Sequence, residues 1–309
     1  MKVMVTGGTG FIGSYVVTKL VAEGHEVRLL ARDPAKVAGF VGQRSIVLVR
    51  GDLADQGACR LGFRGADACI HIARVPGKTA AEGLLGDTLP GIRLFENVIS
   101  AEVEQIIYTS SVSVFDGRTD RLSDRSPQRP LGVYGASKAT LEAFLLGMTN
   151  GRGVRANVVR PGYTFGEPVV DGAPTQRMGE IPSIVRAALR DEPIRVVRGV
   201  GLQFIWAGDL AKLYLAVLES AKERGQYIAL ARDFHTWEEV ARWAVDQSKS
   251  KSTVEVMDTG EVVRGATLKE GDATPWDVSG IQKDFGLAFS AEEPLRRHVD
   301  YWIKRLRGE

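Results

Sequence analysis

Apolar and polar residues follow one another in short blocks along the first half of the chain. Strand-like apolar runs occur at Lys2–Thr6, Glu26–Ala31, Ile46–Arg50, Ala68–Ile72, Gln105–Thr109 and Arg155–Arg160. Stretches long enough for helices separate these runs. The alternation predicts an α/β fold, with a parallel, doubly wound sheet and helices on both faces. The nearly continuous apolar run Ile46-Val47-Leu48-Val49 predicts a strand that is buried on both faces.

The pattern also predicts how the chain is divided. We expect a Rossmann domain over residues 1–162, joined by roughly 202–230, and a smaller C-terminal α/β substrate domain from 163–201 and 231–309. Ligands of doubly wound sheets bind at the C-terminal ends of the strands. The residues that follow each predicted strand should therefore lie along one rim.

Composition narrows the class of protein. The 309 residues carry 40 basic and 38 acidic side chains, a net charge of +2, which indicates neither a nucleic-acid nor a membrane-surface partner. There is no apolar run long enough to span a bilayer, and a strand beginning at residue 2 leaves no room for a signal peptide. Cys59, Cys69 and the four histidines lack metal-ligand spacing, so we expect no metal. We also expect the protein to be cytoplasmic and to form a homodimer.

A glycine-rich loop, Thr6-Gly7-Gly8-Thr9-Gly10-Phe11-Ile12-Gly13, joins the first strand to the first predicted helix. Glycine allows positive φ and a close approach of phosphate to the backbone. The N-terminus of the helix offers free N–H groups to the anion. The loop predicts a dinucleotide site with contacts from Gly7, Thr9, Gly10, Phe11, Ile12 and Gly13, and the alternative is a glycine-rich turn without a ligand.

The ends of the next strands bear on the choice of cofactor. Ala31-Arg32-Asp33 offers no carboxylate at position 31 for the ribose 2′-hydroxyl of NAD, while Arg32 suits the 2′-phosphate of NADP. NADP(H) is therefore the preferred cofactor and NAD(H) the alternative. Asp52 could accept a hydrogen bond from adenine or cap a helix starting near Ala54. Further cofactor contacts are expected from Leu53, Ala73 and Pro161.

A second group of residues suggests chemistry. Tyr134 and Lys138 are four residues apart, on one face of a predicted helix. A nearby ammonium would lower the pKa of the phenol, which could then exchange a proton with a carbonyl or an alcohol. Ser110-Ser111 ends a strand where a serine could bind the same oxygen, or merely satisfy backbone groups. Tyr15 and Lys19 share the spacing, and we interpret them as a solvated helix face.

Together these motifs resemble the extended short-chain dehydrogenase/reductase family, of the NAD-dependent epimerase/dehydratase type. The motifs that match in order and spacing are the glycine loop, Gly51-Asp52-Leu53, Tyr108-Thr109-Ser110-Ser111, Tyr134-x-x-x-Lys138, Arg160-Pro161-Gly162 and Phe204–Ala211. The resemblance implies a Rossmann domain, an NAD(P) cofactor and a small-molecule substrate. By position it implies that Ser111, Tyr134 and Lys138 are catalytic, with Lys138 lowering the pKa of Tyr134 and holding the nicotinamide ribose.

Within the family the closest pattern is that of dihydroflavonol-reductase-type carbonyl reductases. Val112 and Ser113 stand where dehydratases carry an acidic pair. Gly201-Leu202-Gln203 precedes Phe204 without the arginine that nucleotide-sugar epimerases usually carry shortly before this aromatic residue. We therefore predict an NADP-dependent oxidoreductase that interconverts a carbonyl and a hydroxyl. A nucleotide-sugar epimerase is the first alternative, and a non-catalytic NADP-binding sensor is the second.

Substrate contacts are less well defined by the sequence. Arg74 departs from the usual strand-four exit and would either bind an anionic group or face solvent. Aromatic residues could form the pocket wall or belong to the core, and they are Tyr163, Phe165, Phe204 and Trp206. The segment Gly77–Gly91 is either a mobile lid or a surface loop that runs into a helix. Asp87-Thr88 stands where the family often has a supporting asparagine.

Overall fold

A computed structural model describes residues 1–33, 38–77, 79–116, 121–175, 179–258, 267–268 and 276–308. Its strands are β1 (Lys2–Thr6), β2 (Glu26–Ala31), β3 (Ile46–Arg50), β4 (Ala68–His71), β5 (Gln105–Thr109), β6 (Arg155–Pro161), β7 (Thr164–Phe165), β8 (Ile194–Val197), β9 (Val200–Leu202), β10 (Ile205–Trp206), β11 (Gln226–Ala229), β12 (His235–Thr236), β13 (Val254–Met257) and β14 (Thr267–Leu268). Seven of them form one parallel sheet in the order β11-β6-β5-β4-β1-β2-β3. The order reverses between β4 and β1, so the predicted Rossmann sheet is confirmed and its ligand crevice lies at that point.

Helices cover both faces of this sheet. They are α1 (Phe11–Ala22), α2 (Gln56–Phe63), α3 (Ala80–Gly83), α4 (Leu89–Ser100), α5 (Val133–Met148), α6 (Glu180–Leu189), α7 (Ala207–Glu219), α8 (Trp237–Ser248), α9 (Ser279–Phe285) and α10 (Glu292–Arg307). Helices α1 and α7 pack together, and α4 packs against both α2 and α5. A π-helical turn at Leu84–Thr88 and a 3-10 turn at Val112–Phe115 complete the elements used below.

The other strands and helices form smaller groups. Strand β8 pairs with β13, β9 pairs with β12 and β14, and β7 pairs with β10. Helices α6, α8 and α10 pack on one another beside them. One apolar cluster extends from β1 residues such as Val3 to α8 residues such as Val240 and Ala244. The division into two domains stays a prediction, since a continuous core joins these groups to the sheet.

Strand β3 differs from its prediction. It is an edge strand that pairs only with β2, and its Val47 side chain is 46% exposed. The interpretation of Ile46–Val49 as buried on both faces was therefore wrong. An apolar run predicts a strand, but the neighbours that cover it are decided by the order of strands in the sheet.

The solvated face predicted for Tyr15 and Lys19 is half correct. Lys19 pairs with Glu23 at 2.6 Å on the surface. Tyr15 is instead 6% exposed, and its hydroxyl donates a hydrogen bond of 2.5 Å to the carbonyl of Glu167. Burial also raises the pKa of Tyr15. Because α7 packs across α1, a helix position that looks peripheral in sequence becomes part of the core.

The segment from Gly77 to Gly91 is mainly helical. Helix α3 starts at Ala80 and continues through the π-helical turn into α4. A Cβ on Gly91 would lie 2.8 Å from the Leu141 side chain, so this glycine allows α4 and α5 to pack closely. Residues 80–91 are therefore helix and not loop, while the interpretation of the segment as a lid stays a prediction.

The two cysteines lie deep in the fold. Cys59 on α2 and Cys69 on β4 have no exposed surface and form no disulfide. Burial raises the pKa of the Cys59 thiol to about 11, and burial likewise raises the pKa of Cys69. Within the described ranges, no helix combines the length and apolar character needed to cross a bilayer.

Candidate active site

The glycine loop has the shape of a phosphate cradle. Gly7 has a φ of +75°, and a Cβ there would lie 2.5 Å from the Ala73 nitrogen. A Cβ on Gly13 would overlap the carbonyl oxygen of Gly7. Helix α1 begins after Gly10, a residue that has no side chain to cap the helix. The first N–H groups of α1 therefore lack a side-chain acceptor among the described residues, and a pyrophosphate fits this cradle.

The remaining loop residues lie around this cradle. Thr9, Phe11 and Ile12 are partly exposed. The Ala73 N–H donates to the Thr6 carbonyl at 3.1 Å. The chain leaving β4 is thus held against the glycine loop, where the sequence placed it.

The ends of β2 and β3 lie side by side, because the Gly51 N–H donates to the Ala31 carbonyl at 3.1 Å. Arg32 is exposed at this edge, as a residue facing a 2′-phosphate must be. Asp52 Oδ1 accepts hydrogen bonds from the N–H groups of Ala54 and Asp55, at 2.9 and 3.2 Å.

Asp52 therefore caps a turn, whereas helix α2 starts two residues later than predicted. The N-cap of α2 is Asp55, whose carboxylate accepts the Ala58 N–H at 2.9 Å. The expected Asp52 cap on a helix near Ala54 is corrected accordingly. The Leu53 side chain is 5% exposed, which leaves mainly its backbone for an adenine contact.

The two serines after β5 have different surroundings. Ser110 is buried, and its hydroxyl donates to the carboxylate of Glu142. Ser111 accepts the Ser113 N–H at 3.2 Å and forms the N-cap of the following 3-10 turn. Ser111 also interacts by hydrogen bonding with Tyr134. Of the two, Ser111 is therefore the serine beside the tyrosine, as the family position implied.

A glycine brings Tyr134 to this serine. Tyr134 lies in the first turn of α5, and a Cβ on the next residue, Gly135, would overlap the Ser113 carbonyl oxygen. Only a glycine lets the start of α5 pack against the turn after Ser111. The sequence analysis assigned no role to Gly135, although its place beside the candidate tyrosine was a usable signal.

The pKa of Tyr134 differs from the sequence expectation. Burial raises this pKa, while hydrogen bonding with Ser111 and the positive charge of Arg74 lower it. Lys138 Nζ lies 6.0 Å from the centroid of the Tyr134 ring, whereas the Arg74 guanidinium lies 4.3 Å from it. Arg74 is thus the cation that acts most directly on the phenol. The pKa of Tyr134 is raised, so the prediction that Lys138 gives Tyr134 a low pKa was wrong.

Lys138 is held inside the fold. Its side chain is 3% exposed, and Nζ donates to the Thr109 carbonyl at 2.9 Å. Burial lowers the pKa of Lys138 to about 8, opposed by the negative charge of Asp87. Asp87 itself is 5% exposed and lies in the π-helical turn, a kind of turn that often marks functional sites. The sequence analysis singled out Asp87 only because the family often has a supporting asparagine at this place.

Behind Ser110 lies a buried ion pair between Glu142 and Arg160, whose closest atoms are 2.7 Å apart. Both side chains are 2% exposed. Arg160 precedes Pro161, the last residue of β6, which is also buried. The pair therefore supports the strand ends on which Ser111 and Pro161 lie.

The predicted substrate residues separate into two groups. Tyr163 is partly buried, and burial together with Asp116 raises its pKa to about 12. The contact of Tyr163 with the substrate stays a prediction. Trp206 packs between the Tyr15 ring, 6.1 Å away, and the Arg297 guanidinium, 4.7 Å away.

Phe165 has no exposed surface and packs edge-on against the equally buried Phe204, with 6.0 Å between centroids. The prediction of Phe165 as a pocket wall is therefore corrected, and it belongs to the core with Phe204. Aromatic residues near a rim are more often buried than not, and the sequence could not separate the two outcomes.

Comparison with known proteins assigns the family. Residues 3–231 match the NAD dependent epimerase/dehydratase family, so the chain belongs to it, and the resemblance to extended short-chain dehydrogenases/reductases is confirmed. Proteins of this family include nicotinamide-dependent reductases as well as epimerases.

Individual relatives represent both activities. Cinnamoyl-CoA reductase 1 of Oryza sativa subsp. japonica is 26% identical over 324 residues, covering 96% of this chain and 88% of the relative. A putative UDP-glucose 4-epimerase of Methanocaldococcus jannaschii is 25% identical, covering 72% of this chain and 74% of the relative. The solved structure of MoeE5 in complex with UDP-glucuronic acid and NAD has a TM-score of 0.79 and 23% identity, over 99% of both chains.

Proposed function

We propose that the protein is an NADP-dependent reductase that transfers a hydride to the carbonyl group of a small molecule. The observation that carries this proposal is the position of Tyr134, 37% exposed and beside Ser111, with Lys138 Nζ 6.0 Å from the centroid of its ring. A phenol with a hydroxyl neighbour and a nearby ammonium can give its proton to a carbonyl oxygen, the role that carbonyl reduction requires. The same groups would act in reverse for oxidation of the alcohol.

Each residue has a defined part in this reaction. A bound reduced nicotinamide would supply the hydride. Ser111 and Tyr134 donate hydrogen bonds to the carbonyl oxygen, and the Tyr134 proton passes to that oxygen as negative charge develops. The Lys138 ammonium stabilises the phenolate that remains, and by the family resemblance it would also hold a hydroxyl of the nicotinamide ribose.

The cofactor preference rests on the end of β2. Ala31 offers no carboxylate to a ribose 2′-hydroxyl, and Arg32 is an exposed cation directly after it. A guanidinium suits a phosphate by its charge and its fork of donors. These features support NADP(H) as the cofactor.

A nucleotide-sugar epimerase is the competing function, and several relatives favour it. The segment before Phe204 argues against it. Gly201-Leu202-Gln203 lacks the arginine that such epimerases usually carry shortly before this aromatic residue to bind the diphosphate. Gln203, the polar side chain of this segment, is fully buried; its amide donates to the Ala231 carbonyl at 3.1 Å and accepts the Trp276 N–H at 2.8 Å. An amide committed to the core is not available to a diphosphate.

Cofactor stoichiometry tests the proposal. A reductase consumes one NADPH for each carbonyl reduced, whereas an epimerase re-oxidises its cofactor in each cycle and consumes none. The assay follows NADPH absorbance with a panel of aldehydes and ketones, in parallel with conversion of UDP-glucose. We expect net NADPH oxidation with at least one carbonyl compound. Interconversion of the UDP-sugar without net oxidation would assign the epimerase, and NADPH binding without either reaction would assign a sensor.

A further inference from the structure

Arg74 places a cation beside the reacting group. Its guanidinium lies 4.3 Å from the centroid of the Tyr134 ring, and the side chain is exposed. A guanidinium stays charged and has five N–H donors. Stacking on a ring uses its face, so the donors along its edge remain open to a ligand.

The backbone on both sides of Arg74 is anchored. The Ala73 N–H donates to the Thr6 carbonyl at 3.1 Å, and the Val75 N–H donates to Asp87 Oδ1 at 2.9 Å. Asp87 is buried and cannot move without disturbing the π-helical turn. The Arg74 backbone is therefore fixed beside Tyr134, and the guanidinium stacks on the Tyr134 ring from there.

Apolar side chains flank this cation. Val75 follows Arg74 and is 43% exposed, while Leu131 and Val133 beside Tyr134 are 68% and 54% exposed. Exposed apolar groups that cluster around polar ones often mark a binding site. The chain next to Arg74 and Tyr134 thus carries exposed apolar side chains beside a cation.

We propose that Arg74 anchors the substrate by binding an anionic oxygen group, a carboxylate or a phosphate, on a carbonyl compound whose remainder is apolar. The inference rests on the proposed reductase function and adds the substrate class to it. The planar fork of a guanidinium binds either anion through two parallel hydrogen bonds. Its place over Tyr134 puts that anion a short distance from the carbonyl that Tyr134 protonates.

Three matched aldehydes test this inference: formylbenzoate, formylphenyl phosphate and methyl formylbenzoate, which is neutral. With NADPH, kcat/KM for the better anionic aldehyde should exceed that for the ester by about 10- to 100-fold, the range of a charge-assisted hydrogen bond. The anionic aldehyde with the higher kcat/KM shows whether Arg74 prefers a carboxylate or a phosphate. Arg74→Gln should reduce the anion-to-ester ratio to about one, because the ratio cancels any effect on Tyr134 itself. Arg93→Gln, an exposed arginine on α4, should change neither the ratio nor the activity.

Calorimetry on the complex with NADP separates this inference from the function on which it rests. Arg74-dependent binding of an anionic aldehyde, tighter than that of the ester, supports the anion site even if no aldehyde is reduced. In that case the proposed reductase function would be wrong, and the anion site at Arg74 would stand. Reduction of all three aldehydes at similar kcat/KM would overturn the anion site and keep the reductase. Equal or absent binding of the three compounds would also overturn it.

Discussion

Removing the negative charge from Glu142 should destabilise the fold far more than removing a surface carboxylate. Its carboxylate accepts hydrogen bonds from Ser110, from Gln128 at 2.5 Å, and from Arg160 at 3.0 and 2.7 Å. Both members of the ion pair are 2% exposed. Glu142→Gln keeps the side-chain shape but leaves the Arg160 cation buried without a counter-charge. Breaking a buried pair in this way costs about 3–5 kcal/mol of the free energy of unfolding.

The assay is urea denaturation followed by tryptophan fluorescence. The matched control is Glu255→Gln, which removes a carboxylate that pairs with Arg195 at 3.0 Å, with side chains 45% and 67% exposed. Exposed pairs contribute about 0–1 kcal/mol, so this variant should unfold near the parent. Replacing both buried partners, as Glu142→Leu with Arg160→Met, should cost less than Glu142→Gln alone. A loss in Glu142→Gln no larger than that in Glu255→Gln would refute the reasoning.

Three further predictions concern the site. Tyr134→Phe removes the proton donor and should lower kcat by about 10²–10⁴-fold with little change in NADPH binding, while Tyr301→Phe on α10 should remain active; near-normal turnover of Tyr134→Phe would exclude the assigned role. NADP should bind about 10- to 100-fold tighter than NAD, and Ala31→Asp with Arg32→Ala should reverse this; equal Kd values in the parent would show that Arg32 does not face the site. Since burial lowers the pKa of Lys138 to about 8, the charged form is lost as the pH rises through that value, and kcat/KM should fall there. Lys138→Arg should move the fall to higher pH, whereas a profile flat up to the ordinary lysine pKa of about 10.4 would contradict the assignment.

Local patterns predicted the sheet well. Five runs of mostly apolar residues form β1–β5 within one residue of their predicted ends. Strand β6 ends at Pro161, one residue beyond its predicted end. The four residues of β11 were too short to predict by pattern. Its place beside β6 comes from backbone pairing between residues distant in sequence. The edge position of β3 was missed for the same reason, since apolar character says nothing about which strands are neighbours.

The candidate site was predictable where the chemistry lies in fixed spacing. The glycine loop and the spacing of Tyr134 and Lys138 identified their regions directly. The stacking of Arg74 on Tyr134 joins the end of β4 to the start of α5, and no local pattern encodes such a contact. The same holds for Tyr15, whose burial depends on packing by α7. Burial also decided the sign of the Tyr134 pKa shift, and burial is set by the whole fold.

Chemical modification of the two buried thiols can report local opening of the fold. A thiol reacts as thiolate and needs contact with the reagent, so Cys59 and Cys69 can be modified only from conformations in which they are uncovered. Cys59 lies on helix α2, near the edge strand β3, while Cys69 lies on β4 at the centre of the sheet. Labelling at Cys59 should therefore record partial opening of one flank, and labelling at Cys69 should record loss of the sheet as a whole. Compared with and without NADP, the two rates would show which part of the molecule the cofactor holds closed.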